Sequence, residues 1–428
     1  MDQLDATAAH RPVAMRHILA ATTGNALEFY DFMVFAFFAK QIGEAFFPAT
    51  DPYASLMASL ATFGAGFLTR PLGALVLGRY GDRHGRAPAM MLSMGLMGFS
   101  ILALVICPGY AQIGIAAPVI AVLSRLVQGF AIGGEVGPST AYMLEGTSPY
   151  RRGFIVSFQR ASQTLAQAVG AVIGLIFSLA LSQEAFHDYG WRLTLGIGAL
   201  VAPYALYLRR RMPEGPPPHT AEDNAAELER GFARAAIVGF LIISGGTVGA
   251  YVSTYLATFA QTELKLSPAV AMAAQTASFL VATIACLVGG AVTDRLGRRP
   301  VMLFGFGLCT LLTPPLFAWT IAHPGLGVLM LTSSILGILG GFGVSAAMVA
   351  IVESLPRRAR SVAFSLVYTL PVTIFGGTTQ LIVTWLVKLT GTPMAVAWYS
   401  AGAMALGTLA MLAMPESSPV RRRVLAQA

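Results

Sequence analysis

Apolar runs of about twenty residues recur along the chain, separated by short segments rich in arginine. Residues 88–107 (PAMMLSMGLMGFSILALVIC) and 301–322 (VMLFGFGLCTLLTPPLFAWTIA) contain no Asp, Glu, Lys or Arg. About 20 such residues form a helix long enough to cross the ~30 Å hydrocarbon core of a bilayer. The pattern predicts twelve helices, over 17–39, 54–77, 88–107, 113–143, 153–182, 190–208, 235–260, 269–290, 300–321, 325–352, 360–389 and 394–414. The long polar interruption at 209–234 reads as a linker, because prolines and mixed charges crowd it. It separates a six-helix half at 1–208 from another at 235–414, with a tail at 415–428. The expected fold class is an all-α membrane protein.

Composition supports this reading. Of 428 residues, 55% are hydrophobic and only 11% are charged, against roughly 25% in a soluble domain. The net charge of +8 does not indicate nucleic acid, because the arginines sit in the short loops. If the N-terminus is cytoplasmic, twenty-one lysines and arginines fall on the cytoplasmic side and four on the other: Lys40, Arg192, Lys265 and Lys388. That asymmetry predicts both termini inside, in a cell inner membrane. The polar start lacks a cleavable signal pattern, so the first apolar segment is expected to serve as an anchor. Cys107, Cys286 and Cys309 lie in apolar runs without metal-ligand spacing. No metal or cofactor is expected: the sequence has no G-x-x-x-x-G-K-[ST], H-E-x-x-H or G-x-S-x-G.

The two halves repeat each other. Gly78-Arg-Tyr-Gly-Asp82-Arg83-His-Gly85-Arg86 follows the second predicted helix, and Gly290-Ala-Val-Thr-Asp294-Arg295-Leu-Gly297-Arg298 follows the eighth. Both fit G-x-x-x-D-R-x-G-R. Glu145 with Arg151-Arg152 recurs as Glu353 with Arg357-Arg358, and Met212-Pro213-Glu214 as Met414-Pro415-Glu416. Each motif follows the same helix of its half, which indicates a parallel duplication.

These residues resemble the major facilitator superfamily, as does Arg125-Leu-Val-Gln128-Gly129. Within it the chain is similar to metabolite:proton symporters, through Gly24-Asn25-Ala-Leu-Glu28-Phe-Tyr-Asp31, Arg70-Pro71-Leu-Gly73, Gln128 to Glu135, and Gly190-Trp191-Arg192. Arg152-Gly-Phe-Ile-Val-Ser-Phe-Gln159 and Ile374-Phe-Gly-Gly377 resemble the citrate and tricarballylate branch. Two residues depart from the pattern. Ala87 stands where the first signature loop usually has a second basic residue, and Arg160 where the branch has a small or neutral one.

Charges inside spans cost at least ~2.5–3.5 kcal/mol each, so they are functional candidates. They are Glu28, Asp31, Arg70, Arg125, Glu135 and Arg160. Asn25, Glu28 and Asp31 share one face of the first helix by their spacing, and are expected to present a polar stripe to a cavity. Asp31 is the expected proton carrier with Arg125 as its exchange partner; a permanent structural ion pair is the alternative. Glu28 and Glu135 are further proton-coupling candidates, and Glu135 equally suits helix packing. Arg160 lies on a helical stripe with Gln163, Thr164 and Gln167, beside Gln159. A guanidinium matches a carboxylate bidentately, so this stripe reads as an anion site; a contact at the inner mouth with lipid phosphate is the alternative. Arg70 reads as structural. Tyr251, Tyr255 and Tyr368 offer hydroxyls to a substrate or pack between helices. The signature loops are expected to clasp the two halves through Asp82 and Asp294, just past helix ends.

The resemblance implies a proton-coupled symporter that imports a citrate- or tricarballylate-like carboxylate, with no enzymatic activity. The expected partners are that substrate, protons and the lipid bilayer, with no nucleic acid, and the expected state is monomeric. Import of a trianion against −100 mV costs roughly 7 kcal/mol, so it requires several protons or a metal ion. A betaine or proline symporter and an efflux antiporter remain alternatives.

Overall fold

The structure is a computed structural model and describes residues 15–84, 86–133, 140, 143–144, 147–199, 232–356 and 360–421. The expected linker at 209–234 lies outside the described residues except for its last three positions. Short helical turns at Tyr110–Ile113 and Gln183–Ala185 aside, the described helices are α1 (Met15–Phe37, continued by Ala39–Phe46), α2 (Pro52–Leu68 and Arg70–His84), α3 (Arg86–Ile106), α4 (Ala116–Ile132) and α5 (Arg152–Ala180). A π-turn, Phe186–Gly190, leads into α6, described through residue 199. Then come α7 (Phe232–Thr262), α8 (Pro268–Leu296), α9 (Arg298–Ala322) and α10 (Leu326–Ser354). α11 runs through Arg360–Pro371, a π-turn at Val372–Gly376 and Gly377–Thr390, and α12 is Ala395–Leu412. No strand occurs among the described residues.

The burial pattern is inverted relative to a water-soluble protein. Leu68, Phe99 and Leu311 are about 70% exposed (71%, 70% and 70%), while Gln159, Gln163, Gln275 and Gln380 are at most 1% exposed. Apolar side chains outside and amides inside suit a hydrocarbon solvent. Among the described residues eight helices are long and apolar enough to cross a membrane, and α3 and α4 contribute shorter apolar stretches.

Local sequence explains the helix ends and bends. Asp51 caps α2 by accepting from Tyr53 N at 3.0 Å, and Ser267 caps α8 by accepting from Val270 N at 3.4 Å. In both, proline occupies the first helical position, where no amide hydrogen bond is lost. α2 breaks at Thr69, just before Arg70-Pro71, because proline disfavours helical backbone upstream. The Thr69 hydroxyl donates to Leu126 O of α4 at 2.6 Å across the break. Pro371 does not end α11; one π-turn absorbs the missing donor.

The second signature motif differs from its expected place in a loop. Gly290 to Leu296 form the last turns of α8, so Asp294 is helical, and the turn falls at Gly297 with φ +106°. A side chain would be strained in that conformation. For the first motif, Gly85 and the side chains of Gly78, Asp82, Arg83 and Arg86 lie outside the described residues.

α5 packs along α8, α1 along α5, and α2 against α11. The first six helices therefore meet the last six at both ends of the molecule.

Candidate functional site

Two neighbouring cavities of about 60 Å³ each lie between α5 and the last six helices, and Arg160 lines both. In the first of them, which separates the two helix sets, α1 supplies Phe29 and Met33, and α5 supplies Arg160, Gln163 and Gln167. Tyr251 and Tyr368 face them from α7 and α11. Arg160 Nη1 donates to Gln163 Oε1 at 3.0 Å, which fixes the guanidinium along the expected stripe. Gln167 is 3% exposed and its Oε1 has no hydrogen-bond partner. A buried bare acceptor is costly, so this wall suits a ligand that donates a hydrogen bond. Gln167 belongs to the stripe read from the sequence; its bare oxygen is visible only in three dimensions.

The stripe on α1 does not face the cavity, contrary to expectation. Asn25 Nδ2 donates to Gln159 O at 3.1 Å and Ser162 Oγ at 2.9 Å, and Gln163 Nε2 donates to Asn25 Oδ1 at 3.3 Å. Asn25 thus ties α1 to α5. Asp31 is 4% exposed, and its Oδ1 has no hydrogen-bond partner and lies against Gly198 of α6. The neighbouring Tyr30 hydroxyl donates to Thr194 O of α6 at 2.7 Å. The cavity instead receives the apolar face of α1, Phe29 and Met33. The side chain of Glu28, and Glu135 altogether, lie outside the described residues.

Arg125 forms no ion pair with Asp31 and lines neither cavity. It is fully buried, with its guanidinium carbon 4.1 Å from the Phe32 ring centre, 4.6 Å from Phe35 and 5.2 Å from Phe63. It hydrogen-bonds Gln128 Oε1, while its Nε and Nη2 have no hydrogen-bond partner. Arg70 sits alongside, 4.1 Å from the Phe67 ring and 4.6 Å from Phe32. Ring faces attract a desolvated cation, so this cage accounts for two of the in-span arginines. Gln159 is buried with both amide atoms unpartnered, away from the cavities. Tyr255 is also buried away from them, accepting from Thr384 Oγ1 at 2.9 Å.

At the arginine-rich end Asp294 joins α8 to α5. Its Oδ1 accepts from Gly153 N at 2.8 Å and its Oδ2 from Phe154 N at 2.9 Å, which satisfies the N-terminus of α5. Arg298 Nη1 donates to the same Oδ1 at 2.7 Å. The helices approach closely here: a Cβ on Gly290 would lie 2.6 Å from Gly153 O. Glu353, at the end of α10, accepts from Arg298 Nε at 3.2 Å, lies 3.5 Å from Arg152 Nη1 and takes the Ser417 hydroxyl at 2.6 Å. Glu416 caps α9 through Arg298 N (2.9 Å) and Arg299 N (3.1 Å). The repeats marked Glu353 and Glu416, but their convergence on Arg298 required the fold. Arg295 is exposed.

From mid-helix toward the other end the closure is different. Phe63 and Phe67 of α2 meet Tyr251 at ring-centre distances of 6.1 and 5.6 Å. A Cβ on Gly377 would lie 3.0 Å from Gly64 O. Lys388 Nζ reaches Asp51 Oδ2 at 3.1 Å and sits 3.8 Å from the Tyr53 ring centre. The Tyr53 amide, and then Lys388, hold the Asp51 carboxyl below its ordinary pKa. Gln41 Nε2 donates to Gln261 Oε1 at 3.0 Å. With both ends closed, the central space is far smaller than the ~300–1,000 Å³ of pockets for drug-sized ligands, so a citrate-sized ligand enters it only when the helices separate.

Residues 17–217 match the family model for sugar (and other) transporters, and residues 235–428 that of the Major Facilitator Superfamily. The chain is 37% identical over 410 residues to a citrate-proton symporter of Salmonella typhi, covering 92% of this chain and 93% of the relative. It is 30% identical to a putative proline/betaine transporter of Staphylococcus aureus (strain COL), covering 92% and 87%. Among solved structures, the xylose transporter of E. coli in a partially occluded inward-open conformation shares the fold with a TM-score of 0.72 at 16% identity, covering 94% of this chain and 97% of that one.

Proposed function

Since this chain belongs to the major facilitator superfamily, a family of membrane transporters rather than enzymes, we propose that it is a proton-coupled symporter importing a citrate-like di- or tricarboxylate. Arg160 carries the reading. Its guanidinium lies between the two helix sets, held by Gln163, beside the bare Gln167 oxygen. Arginine binds one carboxylate as a fork; Gln167 accepts from a substrate hydroxyl or a protonated carboxyl. Tyr251 and Tyr368 complete the wall with phenol groups. The relationship to a citrate-proton symporter over nearly the full length supports the substrate class.

Asp31 carries the proton in this proposal. A bare carboxylate oxygen in a protein interior costs far more than a neutral acid. The bare Oδ1 is where the closed state can hold a proton, and opening to water gives that proton its exit. Arg125 is held in its phenylalanine cage, so direct exchange with Asp31 requires α1 to rotate against α4. Asp294 and its partners act as the gate at the arginine-rich end, which the Lys/Arg asymmetry assigns to the cytoplasm of a cell whose inner membrane holds the protein. The unit is a monomer of two six-helix halves.

A second reading, symport of a zwitterion such as betaine, draws on Phe29, Tyr251 and Tyr368, whose rings line the same cavity as Arg160. Proteoliposome uptake under an imposed pH gradient separates the two. Accumulation of citrate or tricarballylate, abolished by a protonophore, supports the first; accumulation of betaine or proline with no di- or tricarboxylate uptake refutes it.

A further inference from the structure

The second cavity runs from Arg160 into the last six helices, between α7, α8, α9, α10 and α12. Its walls are unlike those of the central one. Leu256, Phe279, Leu336 and Met404 contribute apolar surface, and Gly246, Gly337 and Gly340 open the space. Most of its hydroxyls are already used, that of Ser400 excepted. Ser253 donates to Gly249 O at 3.0 Å, Ser278 to Ser333 O at 2.7 Å, and Thr313 to Cys309 O at 2.6 Å. Thr164 donates to Ala161 O at 3.1 Å and accepts from Thr283 at 2.9 Å. Beyond the arginine at its mouth and the Ser400 hydroxyl, the pocket therefore offers little to a polar ligand. Arg160, Gly246, Ala250, Phe306 and Val344 line both cavities, so the two adjoin at Arg160.

We propose that this side pocket binds the hydrocarbon tail of a straight-chain monocarboxylate whose carboxylate sits on Arg160, making short fatty acids ligands that compete with the main substrate. The proposal rests on Arg160 as a carboxylate site. Space sets the chain length. One water-sized sphere needs roughly 10–15 Å³, so about 60 Å³ accommodates about four to six carbons beyond the carboxylate. Burial of each methylene strengthens binding about fourfold. Gly340 supplies a plug: a Cβ there meets nothing within 4 Å, whereas one on Gly337 would lie 2.9 Å from Ser278 O.

The test is calorimetric titration of the full-length protein in nanodiscs with acetate through decanoate, and with citrate. Affinity is expected to rise about fourfold per carbon, level off near hexanoate and heptanoate, and show competition with citrate. Gly340→Leu is expected to bring hexanoate back toward acetate and leave citrate unchanged, while Arg160→Gln weakens every acid. A flat chain-length profile with citrate binding intact overturns the side pocket and leaves the proposed function standing. Hexanoate binding that survives Gly340→Leu overturns it as well, by locating the acid elsewhere. Hexanoate binding that both substitutions abolish, in a protein that ignores citrate, upholds the pocket and refutes the tricarboxylate substrate. The wild-type profile does not depend on any variant folding.

Discussion

Replacing Asp294 with asparagine tests whether the contact at the arginine-rich end is a gate. The carboxylate accepts three hydrogen bonds, from Gly153 N, Phe154 N and Arg298 Nη1. Asparagine keeps the shape and one acceptor oxygen, but turns an NH₂ group toward a donor. At least one charge-assisted bond is lost, worth about 1.5–3 kcal/mol, and the others weaken by about 1 kcal/mol. The total is roughly 2.5–4 kcal/mol, or two to three powers of ten in the ratio of closed to open at this end. Arg298 is fully buried and, among the described residues, retains only Glu353 as its carboxylate partner. Spin labels on the arginine-rich ends of α5 and α8 would report the distance distribution by pulsed dipolar spectroscopy. The expected result is a shift from a short to a long population, with transport slowed at normal protein levels. If the distances and the rate both match wild type, the aspartate is a topology marker and the gate reasoning is wrong.

Asp31→Asn is expected to abolish proton-driven accumulation while sparing substrate exchange; full gradient-driven accumulation by the variant would falsify Asp31 as the proton carrier. Arg160→Gln should raise the Michaelis constant about ten- to a hundredfold, the loss of one charge-assisted hydrogen bond, and Arg160→Lys should raise it less; uptake normalised to membrane protein with an unchanged constant removes Arg160 from the site. At the opposite end His187 bonds Asp188 at 2.9 Å and Glu44, which joins the continuation of α1 to the turn before α6. Burial lowers the His187 pKa, but the two carboxylates outweigh it, so the folded value is raised. The clasp is therefore fully present below the unfolded value of about 6.5 and lost as pH rises through the folded one. His187→Gln should lower the melting temperature at pH 6 and leave it unchanged at pH 9; equal losses at both indicate packing alone.

The spans were legible because a hydrocarbon solvent constrains composition over twenty residues at a time. The clasp was legible in part, because the motif recurs at Gly78 and Gly290. Its helical backbone was hidden, since Asp294 and Arg295 look like loop residues until α8 is seen to extend past the apolar run. The rotation of α1 was not legible. In water one face of a helix must be polar, which orients it. Here lipid and protein interior are both apolar, so the spacing of Asn25 and Asp31 groups them without naming the neighbour they face. That neighbour proved to be α5 for Asn25 and α6 for Asp31. The cage around Arg125 was hidden for a related reason: its rings come from α1 and α2, and isolated phenylalanines in an apolar span carry no signal.

The two closures are built from different chemistry, and this has a thermal consequence. Opening at the arginine-rich end exchanges charged hydrogen bonds for hydrated ones. Opening at the other end wets Phe63, Phe67 and Tyr251, on the order of 500 Å² of aromatic surface. At about 0.45 cal/mol/K per Å² that is roughly 0.2 kcal/mol/K of heat capacity. Over 20 K the enthalpy of that opening changes by about 4 kcal/mol. A van't Hoff plot for separation of these aromatic contacts would therefore bend, so cooling alone would shift the protein between its closed form and the form in which they part.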